Sequence, residues 1–373
     1  MTSYLFVTWD GGGNVPPALG IAAELQRRGN RVRVLGHAQQ QAAVQAAGLT
    51  FEPYRHATRW SASAPASTPA WAWKYLRLCT DRRGITEVRE SLRREPAEVA
   101  VVDCMMLGAI HGAQLADVHQ VTLTHTLPEY LDRGLDRGPI GKAGRLLGLS
   151  PRRLWRGAQL ELVATLAELA PGTRLAANAR YTGPVWTAVP PVPVRPATGG
   201  TPAILVSLSS IYYVGQTRTL RSIVEAVADL PVRVVLTTGH GVRTADLTAP
   251  ANVEVHQYLP HSQVLPHVQL VVGHGGHATT MQALAHDLPL VLMPMSPLAD
   301  QPLVARAVAE QGAGLVVNRS APPAVIRAAI ERLLADGPHR AAAARLGAQI
   351  RAVDGAVTAA DLLEESVAGR RPR

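Results

Sequence analysis

The chain has 373 residues, 47% hydrophobic and 17% charged, which is enough for two domains with cores of their own and excludes a disordered chain. Its net charge of +9 is scattered through helical stretches (Arg27, Arg28, Arg93, Arg94, Arg345, Arg351) with one terminal cluster, GRRPR, so DNA or RNA is not an expected partner. Two cysteines without metal-ligand spacing, Cys79 and Cys104, fit a reducing compartment, and the lack of a basic leader or of an apolar run near 18 residues predicts a cytoplasmic protein without stable membrane insertion.

In chain order, YLFVTW and RVRVLG read as strands. Between them VPPALGIAAELQRRG has the helical spacing Val15, Leu19, Ala22, Leu25, with Gly29 as its C-terminal stop. VAVVD and VTLTH give further strands, and GPVWTAVPPVPVRPATGG reads as a linker. The pattern then restarts with AILVSL, VRVVLT, VEVH, QLVVG, PLVLM and GLVV, several of them followed by helical stretches. Such alternation predicts an α/β protein: two doubly wound, Rossmann-like domains facing a cleft, over 1–190 and 201–373, with the last helix, VTAADLLEESV, packing back on the first. Ligands in this architecture sit beyond the C-terminal ends of the strands.

GHGGHATT, between QLVVG and TMQALAH, is the most informative stretch. Its glycines allow close backbone approach at a helix N-terminus, where unpaired N–H groups and a partial positive charge favour an anion. Thr279 and Thr280 add hydroxyls, and His274 offers a hydrogen bond or a charge to a phosphate. A metal site is disfavoured because His274 and His277 lie too near the turn and lack a carboxylate partner. Further on, Asp300 and Gln301 stand where PMSPLAD gives way to a helix, as caps or as a pair for sugar hydroxyls.

HGGHATTMQALAHDLPLVLMPMSPLADQPLVARAVAEQGAGLVV resembles the donor-binding signature of the UDP-glycosyltransferase superfamily, most closely its bacterial branch acting on secondary metabolites. The resemblance implies the GT-B fold, with the acceptor bound mainly by the first domain and the nucleotide-sugar by the second. It also implies inverting, metal-independent transfer with no cofactor beyond the dTDP- or UDP-linked co-substrate. By the same resemblance His274, Gly276, His277 (through its backbone), Thr279 and Ser210 would contact the diphosphate. Gln282 would reach the ribose, Tyr258 would stack on the pyrimidine, and Asp300 and Gln301 would bind the sugar. Asp287 stands where a glycine is usual; aspartate tolerates the left-handed conformation better than most residues.

A second departure lies at the front. The family usually has a Gly-His pair after the first strand, and that histidine deprotonates the acceptor; this chain reads WDGGGNVPP, with Asn14 in its place. Asn14 before Val15, Pro16 and Pro17 reads as a helix cap. Three residues then compete for the base: Asp103 first, which matches the carboxylate that supports the missing histidine, then His125, then Asp10. The expected activity is transfer of a sugar to a small hydrophobic natural product. Its rivals are a lipid-linked cell-wall type of enzyme, for which WAWKYLRL would be the membrane face, and a non-catalytic nucleotide-binding partner. A homodimer is left open.

Overall fold

The computed structural model describes residues 1–62, 64, 66–187, 200–335 and 337–369. Most of the linker stretch and residues 370–373 of the terminal basic cluster lie outside the described residues. The chain forms two compact units, the first made of Met1–Ser61, Pro69–Ala188 and Val353–Arg373, the second of Ala62–Thr68 and Val189–Ala352. The C-terminal segment joins unit 1, and a short early segment joins unit 2.

Unit 1 runs β1 (Ser3–Val7), α1 (Val15–Arg27), β2 (Arg31–Gly36), α2 (Gln41–Ala46), β3 (Thr50–Pro53), α3 (Thr68–Cys79), α4 (Arg83–Arg94), β4 (Val99–Asp103), α5 (Leu107–Leu115), β5 (His119–Thr124), α6 (Pro139–Leu146), α7 (Pro151–Arg156), β6 (Leu160–Val163) and β7 (Ala179–Tyr181). The seven strands are parallel, in the order β3-β2-β1-β4-β5-β6-β7. Central strands such as VAVVD and HQVTLT are buried along their whole length, as a sheet covered on both faces requires. The edge strands TFEP and ARY are short and partly exposed. α1 buries Ala18, Leu19, Ile21, Ala22 and Leu25 on Tyr4 and Phe6 of β1, and Gly29, at φ +85, ends it in the left-handed conformation.

Unit 2 runs β8 (Ala203–Ser207), α8 (Gln216–Val227), β9 (Arg233–Thr237), β10 (Val253–His256), α9 (His261–Val264), β11 (Leu270–Gly273), α10 (His277–Ala285), β12 (Leu290–Leu292), α11 (Gln301–Glu310), β13 (Gly314–Val316), α12 (Pro323–Leu334) and α13 (Pro338–Arg351). Its six parallel strands are ordered β10-β9-β8-β11-β12-β13. The chain closes with α14 (Gly355–Ala368), which belongs to unit 1. α14 adds Ala359, Ala360 and Leu363 to the core beside α1, is capped by the Asp354 carboxylate, and pairs Asp361 and Glu364 with Arg28. Gly20 and Gly355 lie so close to the backbone of Trp186 and Pro184 that a Cβ at either would overlap it. No helix among the described residues is long and apolar enough to cross a membrane.

Both sheets reverse direction of strand order once, between β1 and β4 in unit 1 and between β8 and β11 in unit 2. Loops diverge there beyond the carboxyl ends of the strands, which is where doubly wound sheets bind ligands. Asp10 and Asp103 fall at the first point and Ser210 and residues 274–279 at the second, whereas His125 follows β5, Tyr258 follows β10, and Asp300 and Gln301 follow β12.

Candidate active site

In unit 2 the register sets Gly273 of β11 beside Ser207 of β8. The corner that follows is built by glycine. Gly275 has φ +79, and a Cβ there would lie 2.8 Å from the Gln301 carbonyl; one on Gly276 would lie 2.5 Å from His274 Nε2. α10 starts at His277, three residues before the helix expected from the sequence, so Thr279 stands in its first turn. Gly276 occupies the cap position with extended backbone.

His274 is neutral here. Burial, with His261 nearby and the Ser207 carbonyl opposing, lowers its pKa to about 3, and its Nδ1 is buried without a hydrogen bond. Of the two roles the sequence leaves open, a hydrogen bond or a charge, burial favours the first: without a carboxylate beside it, the ring stays an uncharged donor and acceptor. Thr280 is also taken, because its hydroxyl donates to the Gly276 carbonyl at 2.9 Å. One residue went unseen in the sequence. His261 opens α9 with Nε2 3.1 Å from Ser207 Oγ and Nδ1 3.3 Å from Thr279 Oγ1, and burial lowers its pKa to about 4. Nothing in LPHSQ marks it, since both partners are distant in sequence.

Gln282 is half-buried one turn after Thr279, on the same helix face. Ser210 is exposed, and its carbonyl accepts from the amide of His240, whose ring lies parallel to that of Tyr258 at 6.1 Å. Tyr258 is 59% exposed, an aromatic face open at the end of β10. Asp300 holds the cap position of α11 but makes no side-chain cap bond. Gln301 is buried, and its Oε1 accepts from the amides of Met295 and Ser296 at 2.7 and 3.1 Å. That oxygen shapes the loop, and the side chain also hydrogen-bonds the buried Tyr213 hydroxyl.

Unit 1 assembles a second cluster. Asn14 stands at the start of α1 without a side-chain cap bond, which corrects its reading as a cap. Its Oδ1 accepts from Gly11 N at 3.1 Å, while Nδ2 lies 2.9 Å from both the Trp9 carbonyl and Asp103 Oδ2 and 3.2 Å from Thr8 Oγ1. The amide braces the glycine loop and ties it to the end of β4. Asp103 Oδ1 accepts from Met105 N at 2.9 Å, and Oδ2 lies 3.2 Å from His125 Nε2, a close pair without the alignment of a hydrogen bond. Burial opposes a charge on His125, yet its pKa is held well above the ordinary value by Asp103 and by Cys104 beside it. Burial pushes the Cys104 thiol up, so that thiol is neutral near pH 7 and Asp103 carries the effect. Asp10 is fixed by its backbone: its N–H meets His37 Nδ1 at 3.4 Å and its carbonyl accepts from Trp60 Nε1 at 2.6 Å.

Asp103, Cys104 and His125 each offer an atom within 4.8 Å of the others, the spacing of a metal site. The donor set fits poorly, because both carboxylate oxygens already accept amide N–H groups and the thiol resists ionisation. Aromatic rings crowd the same strand ends: Trp9 meets Trp60 edge-on at 5.4 Å and Tyr75 at 6.0 Å, and Trp71 stacks on Tyr75 at 4.9 Å. The Trp9 indole N–H is buried without a partner among the described residues.

Comparison with known proteins bears on the fold that carries this site. Residues 221–361 match the family described as Erythromycin biosynthesis protein CIII-like, C-terminal domain. The chain is 36% identical over 167 residues to the demethyllactenocin mycarosyltransferase of Streptomyces fradiae, a segment covering 44% of this chain and 36% of that enzyme. The chain thus spans about a third of the length of that curated relative. Among solved structures it resembles CalG4, the calicheamicin glycosyltransferase, at a TM-score of 0.81 and 26% identity, with all of both chains covered. It also resembles the glycosyltransferase VinC in complex with dTDP, at 0.73 and 20%, over 98% of this chain and all of that one. The fold is therefore GT-B, and residues 221–361, most of them in the second unit, are similar to the EryCIII-like C-terminal domain.

Proposed function

We propose that this chain is an inverting, metal-independent glycosyltransferase that moves a sugar, a deoxysugar by the branch it resembles, from a dTDP- or UDP-sugar to a small hydrophobic acceptor. One observation carries the reading: the β11–α10 corner, where two tightly fitted glycines and a buried histidine with an unpartnered ring nitrogen meet a helix N-terminus. Such a corner favours a diphosphate, and it stabilises most the negative charge that grows on the leaving group. The dTDP bound by VinC supports a nucleotide there. Tyr258 and Gln282 take the nucleoside, Ser210, His274, Gly276, His277 and Thr279 the diphosphate, and Asp300 and Gln301 the sugar. The aromatic wall of Trp9, Trp60, Trp71 and Tyr75 supports an apolar acceptor on unit 1.

Calorimetry with dTDP and UDP, followed by product analysis with dTDP- and UDP-glucose, tests the proposal. Micromolar nucleotide binding, inverted anomeric configuration and activity that survives EDTA are the expected results. Loss on chelation that a divalent ion restores contradicts metal independence. Nucleotide binding without any donor consumption leaves a binding partner and not an enzyme.

A further inference from the structure

Asn14 leaves the proposed reaction without the histidine of the glycine loop, and unit 1 supplies another. We infer that His125, arriving from the end of β5, takes the proton of the acceptor hydroxyl, with Asp103 as its positioning partner and Asn14 as the brace that fixes Asp103. The inference rests on the glycosyltransferase reading above and names the base for it.

Three observations carry the assignment. Asn14 Nδ2 and His125 Nε2 approach the same carboxylate oxygen, at 2.9 and 3.2 Å, so the amide and the imidazole share one anchor. Asp103 is itself a poor base: its side chain is 3% exposed and both oxygens are engaged. His125 is the member of the pair that reaches the surface, with 11% of its side chain exposed. The register holds the two together, because Asp103 ends β4 directly beside Leu123 of β5, two residues before the histidine. Other titratable groups around the pair do not compete. Cys104, from the end of β4, is pushed up by burial, as is Glu161 of β6, which accepts from the neighbouring Thr124 hydroxyl. Tyr54 and Cys79, both in the field of Asp103, are pushed well up and are neutral.

In the step itself, which needs the neutral ring and so runs above the raised pKa of His125, the acceptor oxygen bonds to the anomeric carbon as its proton passes to the His125 nitrogen not paired with Asp103. The bond from the anomeric carbon to the diphosphate oxygen breaks, and its electron pair leaves on the diphosphate. Asp103 holds the resulting imidazolium.

The test uses dTDP-glucose and UDP-glucose with a series of phenols from strongly to weakly acidic, and water as acceptor where no phenol is taken. His125→Ala and His125→Gln are expected to lose roughly 10²–10⁴-fold on weakly acidic acceptors, with little loss on a phenol already ionised at the assay pH. Asp103→Asn is expected to move the acid limb of the pH–rate profile down toward the ordinary histidine value. dTDP affinity stays unchanged in all three, and urea melts that overlay that of the unaltered protein report that unit 1 is folded. Full activity of His125→Gln on weakly acidic acceptors, or an acid limb that stays in place in Asp103→Asn, overturns the assignment. Failure of the unaltered protein to bind dTDP or UDP overturns the functional reading, and the base with it.

Discussion

The first six strands of unit 1 and the six of unit 2 share one order, and each sheet places a histidine beyond its strand ends, after β5 in unit 1 and after β11 in unit 2, yet the two histidines are opposite in character. His125 of unit 1 sits against a carboxylate, which lifts its pKa well above the ordinary value despite burial. His274 of unit 2 sits against a second imidazole, and burial lowers it to about 3. Topology decides where a ligand binds; the neighbour of the ring decides whether the ring handles a proton or offers a neutral contact to an anion.

The sharpest way to break this contrast is to remove the neutral ring. His274→Ala is expected to leave turnover nearly abolished and nucleotide diphosphate affinity weaker by tenfold or more, since a hydrogen bond to a charged group is worth about 1.5–3 kcal/mol. Unchanged dTDP affinity and rate in this variant would remove His274 from the donor site.

Acid sharpens the same contrast without mutation. His274 and His261, at about 3 and about 4 when folded, bind protons in the unfolded chain that they refuse in unit 2. Their contribution to stability is complete above the ordinary histidine value near 6.5 and is lost as pH falls from there toward 4 and 3. His125 has the opposite sign: its contribution is complete below about 6.5 and is lost as pH rises through its raised value. Hydrogen exchange at falling pH is therefore expected to loosen β11, α9 and α10 of unit 2 before β4 and β5 of unit 1. Earlier loosening of unit 1 would show the assigned protonation states to be wrong.

Asn14 gives a smaller effect. Asn14→Ala removes one of two acceptors from the Gly11 amide and one of two N–H donors from the Asp103 carboxylate, a loss of about 1–3 kcal/mol for the two hydrogen bonds together. A cap alone would cost about 0.5–2 kcal/mol, so the pH profile is the better discriminator. With its competing donor gone, Asp103 attracts a proton on His125 more strongly, and the acid limb moves up. An unmoved limb would reduce Asn14 to a structural residue.

These residues also mark what the sequence makes legible. RVRVLG, VAVVD and VEVH are strands at their expected bounds, because β-branched runs between turn residues leave the backbone little alternative. TFEP and ARY carry no such pattern, and only pairing with a neighbour makes them strands. GHGGHATT shows its glycine corner because glycine, histidine and helix start are local. The brace from Asn14 to Asp103 spans 89 residues of sequence, and the one from His261 to Ser207 spans 54, so neither has a local signal. Protonation was hidden for the same reason: His125 and His274 differ in what surrounds them after folding.

The smallest expected effect concerns the helices behind the two sites. α5 follows β4 and α10 follows β11, and each ends near an aspartate in the left-handed conformation, Asp117 at φ 54 and Asp287 at φ 60. These are the only non-glycine residues with positive φ among those described. Both pay part of the left-handed penalty that glycine avoids, although aspartate pays less than most. They differ in what the carboxylate does. Asp287 Oδ1 accepts from Arg351 Nη1 at 2.7 Å and so ties the end of α10 to α13, whereas Asp117 is exposed and makes no ion pair among the described residues. Relief of strain is worth roughly 0.5–1 kcal/mol, reduced by the greater freedom glycine has when unfolded. A half-exposed ion pair contributes about 0–1 kcal/mol. Asp117→Gly is therefore expected to raise stability by a few tenths of a kcal/mol, on the order of the lower end of that range, and Asp287→Gly to leave it unchanged or slightly lower. Paired urea melts decide it. A larger gain at Asp287 than at Asp117 would mean that the Arg351 contact contributes nothing and that backbone strain alone governs both turns.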